Sequence, residues 1–160
     1  MDHLRYPIGT YKQPLVIKAD KIEQWIAEIA VQPAKYRTLI DNLSEEALNL
    51  TYRPGGWTIR QVIHHVVDSH MNSFIRFKWA LTEDNPTIKA YHEDRWATLE
   101  DYDQTPVVVS LKLLEALHQR WVILLKSLTP AQLKRTFVHP ESGATIPLDA
   151  LIGMYAWHGN

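Results

Sequence analysis

Residues 57–78 read WTIRQVIHHVVDSHMNSFIRFK, from Trp57 to Lys78. Thr58, with Gln61 three positions later, is a T-x-x-Q capping box, and the breaker Pro54-Gly55-Gly56 lies just ahead, so a helix opens here. At 100° per residue Ile59, Val62, Ile63, Val66, Val67, Phe74, Phe77, Ala80 and Leu81 share a broad apolar face. A face of that width needs other helices to cover it. The same stretch carries three of the eight histidines, His64, His65 and His70, with Asp68 among them. Buried polar groups cost free energy unless they are paired or metal-bound, so imidazole on this helix needs a role.

His65, Ser69, Asn72 and Arg76 recur at spacings of four, three and four, forming a polar stripe along the edge of the apolar face. A stripe so placed looks into a cleft between helices. His64 and Asp68 lie further round, and their plainer reading is a solvated i,i+4 pair. His70 points into the apolar face itself, which predicts a hydrogen-bonded core histidine.

Bulk properties narrow the class. With 160 residues and 46% hydrophobic content, the chain is expected to form one domain over residues 1–160 with a real core. Seventeen basic against eighteen acidic residues, without a long charge run, leave no footprint for nucleic acid. No apolar run approaches transmembrane length, and MDHLRYPIG lacks the apolar core of a signal peptide, so the expected location is cytoplasmic, away from the membrane. There is no cysteine, so disulfides and thiolate ligands are excluded and a metal must be held by His, Asp, Glu, carbonyls or water.

In chain order, residues 1–19, with Pro7, Gly9 and Pro14, read as an extended arm. Asp20 is expected to cap a helix with Ile22, Trp25, Ile26 and Ile29 on one face, and Pro33 to kink or restart it before Tyr36, Leu39 and Ile40. Ser44-Glu45-Glu46 starts a short helix through Leu50. The central helix is expected to end near Thr82, ahead of Glu83-Asp84-Asn85-Pro86. Residues 87–106 form the least regular segment, with one short helix near Glu93 to Leu99, and its aromatic and charged content makes Tyr91 to Tyr102 a candidate lid. Thr105-Pro106 reads as an N-cap with Pro at the first helical position of a third long helix reaching Leu128, whose Leu111, Leu114, His118, Trp121 and Leu125 form an apolar stripe with His118 at its centre. His118 alone reads as a core histidine. Thr129 to Gln132 is a second capping box. TFVHPESGATIPL predicts a short hairpin around Ser142-Gly143, with His139 on the surface, and Pro147 starts a last helix bearing Leu148, Leu151, Tyr155 and His158 on one stripe.

Four amphipathic helices with unequal loops predict an all-α four-helix bundle, in which metal sites are built from side chains on facing helices. His65 and His158 are its best-placed imidazoles. Two histidines make at most part of an open site of three ligands.

The stretches LRYPIG, YRPGGWTIRQVIHHVVDSHMNSFIRFKWALTEDNPTIKAY, LLEALHQRWVILLKSL, FVHPESG and YAWHG resemble the DinB-like superfamily, specifically its YfiT-like branch of metal-dependent hydrolases, along nearly the whole length. The resemblance implies a four-helix bundle with a divalent metal held by three histidines, and imidazole ligation suits zinc and nickel. One lies on the second helix eight residues after the Trp, which selects His65 over His64; the other two are spaced H-x-x-x-H on the last helix, the first being His158. The partner of His158 falls past Asn160. The expectation is therefore a last helix cut short, or else a set completed by His118, His64 or Asp68.

The function so implied is hydrolysis by metal-activated water. Asp68 is a candidate base or support for a ligand, and Asn72 and Arg76 are candidates for orienting an anionic small-molecule substrate. Relatives in the superfamily also suggest a metal-dependent S-transferase using a low-molecular-weight thiol such as bacillithiol. A third reading is a non-catalytic metal-binding bundle that acts through a homodimer interface rich in its six tryptophans and seven tyrosines.

Overall fold

The structure, a computed structural model, describes Leu4 and residues 6–160. Its elements run α1 (Ala19–Ile40), α2 (Glu45–Leu48), α3 (Ile59–Thr82), α4 (Glu93–Trp96), α5 (Glu100–Gln104), α6 (Val107–Lys126), α7 (Pro130–Leu133), β1 (Thr136–Val138), β2 (Thr145–Pro147) and α8 (Leu148–His158). The four longest helices, α1, α3, α6 and α8, make the expected four-helix bundle: α6 packs between α1 and α3, and α8 lies against α1. The part of the N-terminal arm that is described runs beside α8, where Trp157 Nε1 donates to the Gly9 carbonyl at 3.2 Å. The first residues of the arm, 1–3 and 5, lie outside the described residues.

The core follows the apolar faces read from the sequence. Ile22, Trp25, Ile26 and Ile29 of α1 meet Phe74 and Phe77 of α3, Trp121 and Leu125 of α6, and Leu148, Leu151 and Ile152 of α8. Toward the other end, Ile40, Leu48, Ile63, Val107 and Leu111 form a separate cluster. Both capping boxes are made: Thr58 with Gln61 starts α3, and Thr129 with Gln132 starts α7.

Several boundaries differ from expectation. Lys18, not Asp20, holds the N-cap position of α1, and Asp20 sits in the first turn, where its charge faces the positive end of the helix dipole. Pro106 is itself at the N-cap of α6, one residue later than the Thr105 cap expected. Pro33 neither ends nor restarts α1, which runs through it unbroken. Proline has no N–H, so the carbonyl four residues earlier, that of Ile29, loses its helical donor. His118 Nδ1 meets that carbonyl at 2.7 Å and takes the donor's place. The preceding side chain, Gln32, is fully buried and donates through Nε2 to the carbonyls of Tyr155 (3.3 Å) and Ala156 (3.1 Å), satisfying the last turn of α8. Gly159 follows there because a β-carbon at that position would lie 2.3 Å from the Gln32 amide.

The short hairpin is present, with Phe137 opposite Ile146 and Gly143 at φ +66° in its turn. It is tied to both neighbouring helices. Arg135 donates to the carbonyls of Ala80 and Glu83 at the end of α3, and Lys134 pairs with the buried Asp149 in the first turn of α8.

Phe77 has no exposed surface, whereas Ile123 is 72% exposed. Phe77→Ala is expected to cost about 3–5 kcal/mol in denaturant unfolding, and Ile123→Ala no more than about 0.5 kcal/mol.

Candidate functional site

α3 and α8 carry His65 and His158 to a common place, their ring centroids 5.6 Å apart. The His65 side chain is 12% exposed; the Trp57 ring covers it at 4.7 Å, and a Glu93 carboxylate oxygen from α4 stands 4.0 Å from its Nε2. Its Nδ1 is buried with no protein partner. His158 Nδ1 lies 3.2 Å from His70 Nε2 behind it. Two hollows meet at His158. One, of about 490 Å³, is polar and lined by Ser69, Arg76, Tyr91, Glu93, His139 and Tyr155; the other, of about 500 Å³, is apolar and lined by Tyr36, Tyr52, Trp57, Ile59, Val62 and His65.

Burial penalises the charged imidazolium, and both rings respond. It lowers His65 from its ordinary value, against a pull upward from the Asp68 and Asp94 charges. Burial, and then the proximity of His65, pushes His158 down to about 4. Both are therefore neutral near pH 7, the form that binds metal. The donor set thus fits a divalent ion as far as two neutral imidazoles side by side; among the described residues no group of three His, Asp or Glu side chains is gathered for one.

The polar stripe of α3 divides. Ser69 and Arg76 line the polar hollow and His65 the apolar one, and Arg76 Nε is buried there without a protein partner. Asn72 turns back, its amide donating to the Asp68 carbonyl at 2.9 Å one turn below. His64 and Asp68 are not a solvated pair. His64 is buried with Nδ1 2.7 Å from Ser110 Oγ, and Tyr102 donates its hydroxyl to Asp68 Oδ2 at 2.6 Å. The reason is α5, a helix the sequence reading did not place, which lies over α3 and inserts Tyr102 between the two. Burial raises the Asp68 carboxyl, the Tyr102 hydrogen bond working against it. His139 is half-buried, with Nδ1 unpartnered, and lines the polar hollow instead of standing on the surface.

His70 and His118 are core histidines as expected, with 0% and 1% of their surface exposed. His118 has both nitrogens occupied, Nδ1 by the Ile29 carbonyl and Nε2 by His70 Nδ1 at 2.8 Å, which leaves no lone pair for a metal. Three residues that reach the site from outside the long helices, Tyr91, Glu93 of α4 and His139, were not singled out from sequence, although the first two fall within the segment expected as a lid. Their only signal was the aromatic and charged character of residues 87–106 and of the hairpin tip.

The sequence profile of the DinB superfamily matches residues 28–160. The chain belongs to the DinB superfamily. Among its relatives, a Bacillus mycoides protein named "Putative metal-dependent hydrolase" is 56% identical over 159 residues, covering 99% of this chain and 91% of the relative. A Bacillus cereus protein of the same name is 57% identical over 161 residues with the same coverage. Among solved structures, YfiT from Bacillus subtilis, described as "a probable metal-dependent hydrolase with an unusual four-helix bundle topology", matches with a TM-score of 0.96 and 44% identity, over 98% of this chain and 90% of that one. The expected DinB-like, YfiT-like bundle is thus the observed one. No helix among the described residues is long and apolar enough to cross a membrane.

Burial holds His70 well below, and His118 and His158 below, the ordinary histidine value of 6.5. Above that value folded and unfolded chains both keep these rings neutral. As the pH falls below it, the unfolded chain takes up protons that the folded one refuses, so stability is lost between about pH 6.5 and 4. His64 and His65 are held low in the same way, and Asp68, with its raised value, works in the opposite sense but is one group against five. Unfolding by urea at pH 7.5 and pH 5 is expected to give a stability lower at pH 5 by more than one proton's worth, about 1.4 kcal/mol per unit.

Proposed function

We propose that this DinB-superfamily chain is a metal-dependent hydrolase whose ion is held by His65 and His158. The observation that carries the reading is the pair of imidazoles 5.6 Å apart, kept neutral by burial, at the junction of the polar and apolar hollows. The names of its relatives point the same way. Imidazole ligation suits zinc or nickel, and when bound such an ion supplies Lewis acidity and acidifies water.

The chain's own groups then divide the remaining work. Arg76 extends a guanidinium into the polar hollow and binds an anionic or strongly polar part of the substrate. The apolar hollow receives an uncharged part beside Trp57. Asp68, held by Tyr102, keeps its carboxyl near His65 and acts through that ring instead of on the substrate, a positioning role. Asn72 braces the same turn of α3. The segment carrying Tyr91 and, at the start of α4, Glu93 forms the outer wall of the polar hollow and serves as its lid.

Isothermal titration of the metal-free chain with Zn2+ and Ni2+ checks the ligands. The expected result is one ion per chain, with binding weakened at least about tenfold in His65→Ala and in His158→Ala. Arg76→Ala is expected to leave ion binding unchanged while raising KM for anionic ester or amide substrates. Unchanged ion binding in both histidine variants would overturn the assignment.

A further inference from the structure

The three histidines behind the site form one continuous chain of hydrogen bonds, and its direction can be read from its far end. The Ile29 carbonyl accepts and never donates, so His118 Nδ1, at 2.7 Å, carries the proton. A neutral imidazole has one N–H, so His118 Nε2 is a lone pair. It lies 2.8 Å from His70 Nδ1, which must then be the donor. The two rings are nearly coplanar, 12° apart with centroids at 5.0 Å, the arrangement of imidazoles meeting edge to edge through N–H···N and not face to face. His70 Nε2 is in turn a lone pair, and it faces His158 Nδ1 at 3.2 Å. His158 Nδ1 therefore donates, and Nε2 carries its free lone pair.

Each link exists because of the one before it, and the first exists because residue 33 is proline. Any other residue there would offer its own N–H to the Ile29 carbonyl. The Trp121 and Tyr155 rings stand edge-on to His70 and hold it in place, and burial keeps the chain neutral. With no proton to spare, reversing one ring requires reversing all three and leaves the Ile29 carbonyl and His118 without a bond.

We propose that Pro33, His118 and His70 are positioning residues for the candidate metal site: the carbonyl freed by Pro33 starts a one-way N–H···N chain that fixes His158 in its Nδ1–H tautomer and presents Nε2 as its ligating nitrogen. This rests on the metal-site reading above and goes beyond it by giving a task to two histidines that otherwise count only as core. A ligating imidazole whose second nitrogen donates to an acceptor is held in orientation and made more basic, and loss of such a partner costs about 10–100-fold in metal affinity. Here the acceptor is another neutral imidazole, which fixes the tautomer without adding charge beneath the ion.

Long-range 1H–15N correlation spectra of the metal-free wild-type chain at pH 8 read each ring's tautomer directly, without reference to metal. The expected pattern is Nδ1–H for His118, His70 and His158 together, against the preference of free histidine for Nε2–H. A single ring of the three found as Nε2–H overturns the proposal. Zn2+ affinity, from competition with a chromophoric chelator, supplies the second readout. His70→Phe, and independently Pro33→Ala with its restored N–H, are expected to mix the tautomers of His158 and to weaken Zn2+ binding about tenfold or more, with the His65 tautomer unchanged. Wild-type binding of Zn2+ that persists undiminished in both variants overturns the positioning role while leaving the metal site intact. Failure of the wild type to bind Zn2+, with the tautomers as drawn, overturns the metal reading and the positioning role with it.

Discussion

The structure turns on a missing proton donor. Proline in mid-helix withholds one N–H, and a buried carbonyl without a donor carries a penalty of about 1–3 kcal/mol that must be met from elsewhere. In this bundle it is met by an imidazole from the neighbouring helix. That one bond brings α6 against α1 at a defined register and makes the interior of a helical bundle, normally a place for leucine, a tolerable place for histidine. The adjacent Gln32 does the corresponding service for α8, so the Ile29 carbonyl that Pro33 frees and the Gln32 amide tie α1 to two other helices by hydrogen bonds in an otherwise apolar interior.

Polar groups inside a core are economical when each has a partner, and along the series from His118 through His70 and His158 to His65 that pairing falls away step by step. His118 and His70 are paired on both nitrogens, His158 on one through His70, and His65 on neither at ordinary hydrogen-bond distance. The series passes from fully satisfied core to open coordination capacity over a few ångströms.

Much of this was legible in the sequence because it rests on periodicity and caps. The faces of α3 and α6, the Thr58–Gln61 box, the hairpin turn at Gly143, the core character of His70 and His118, and the pairing of His65 with His158, whose rings the fold brings side by side, all follow from spacing or from the family's own pattern. What was not legible depends on contacts between segments far apart in the chain. No local signal tells that Pro33 is compensated by a residue 85 positions later, and so the helix runs through it without the restart that was one of the two expectations. Nor does any periodicity mark the five-residue α5, whose Tyr102 bonds Asp68 and packs on the buried His64, so that the two are separately bonded groups and not a solvated pair. His139 could be read only as a loop residue until the hairpin was seen folded against the bundle.

The hairpin itself carries a consequence for how such a scaffold diversifies. Arg135 and Lys134 fasten its base to the end of α3, which carries His65, and to the beginning of α8, which carries His158, while its tip, with His139 and Glu141, contributes to the wall of the polar hollow. Base and tip are thus separable inheritances. The base indexes two helices to each other, whereas the tip makes neither of those bonds, so a change at the tip can alter the wall of the hollow while the spacing of the two imidazoles stays as it is.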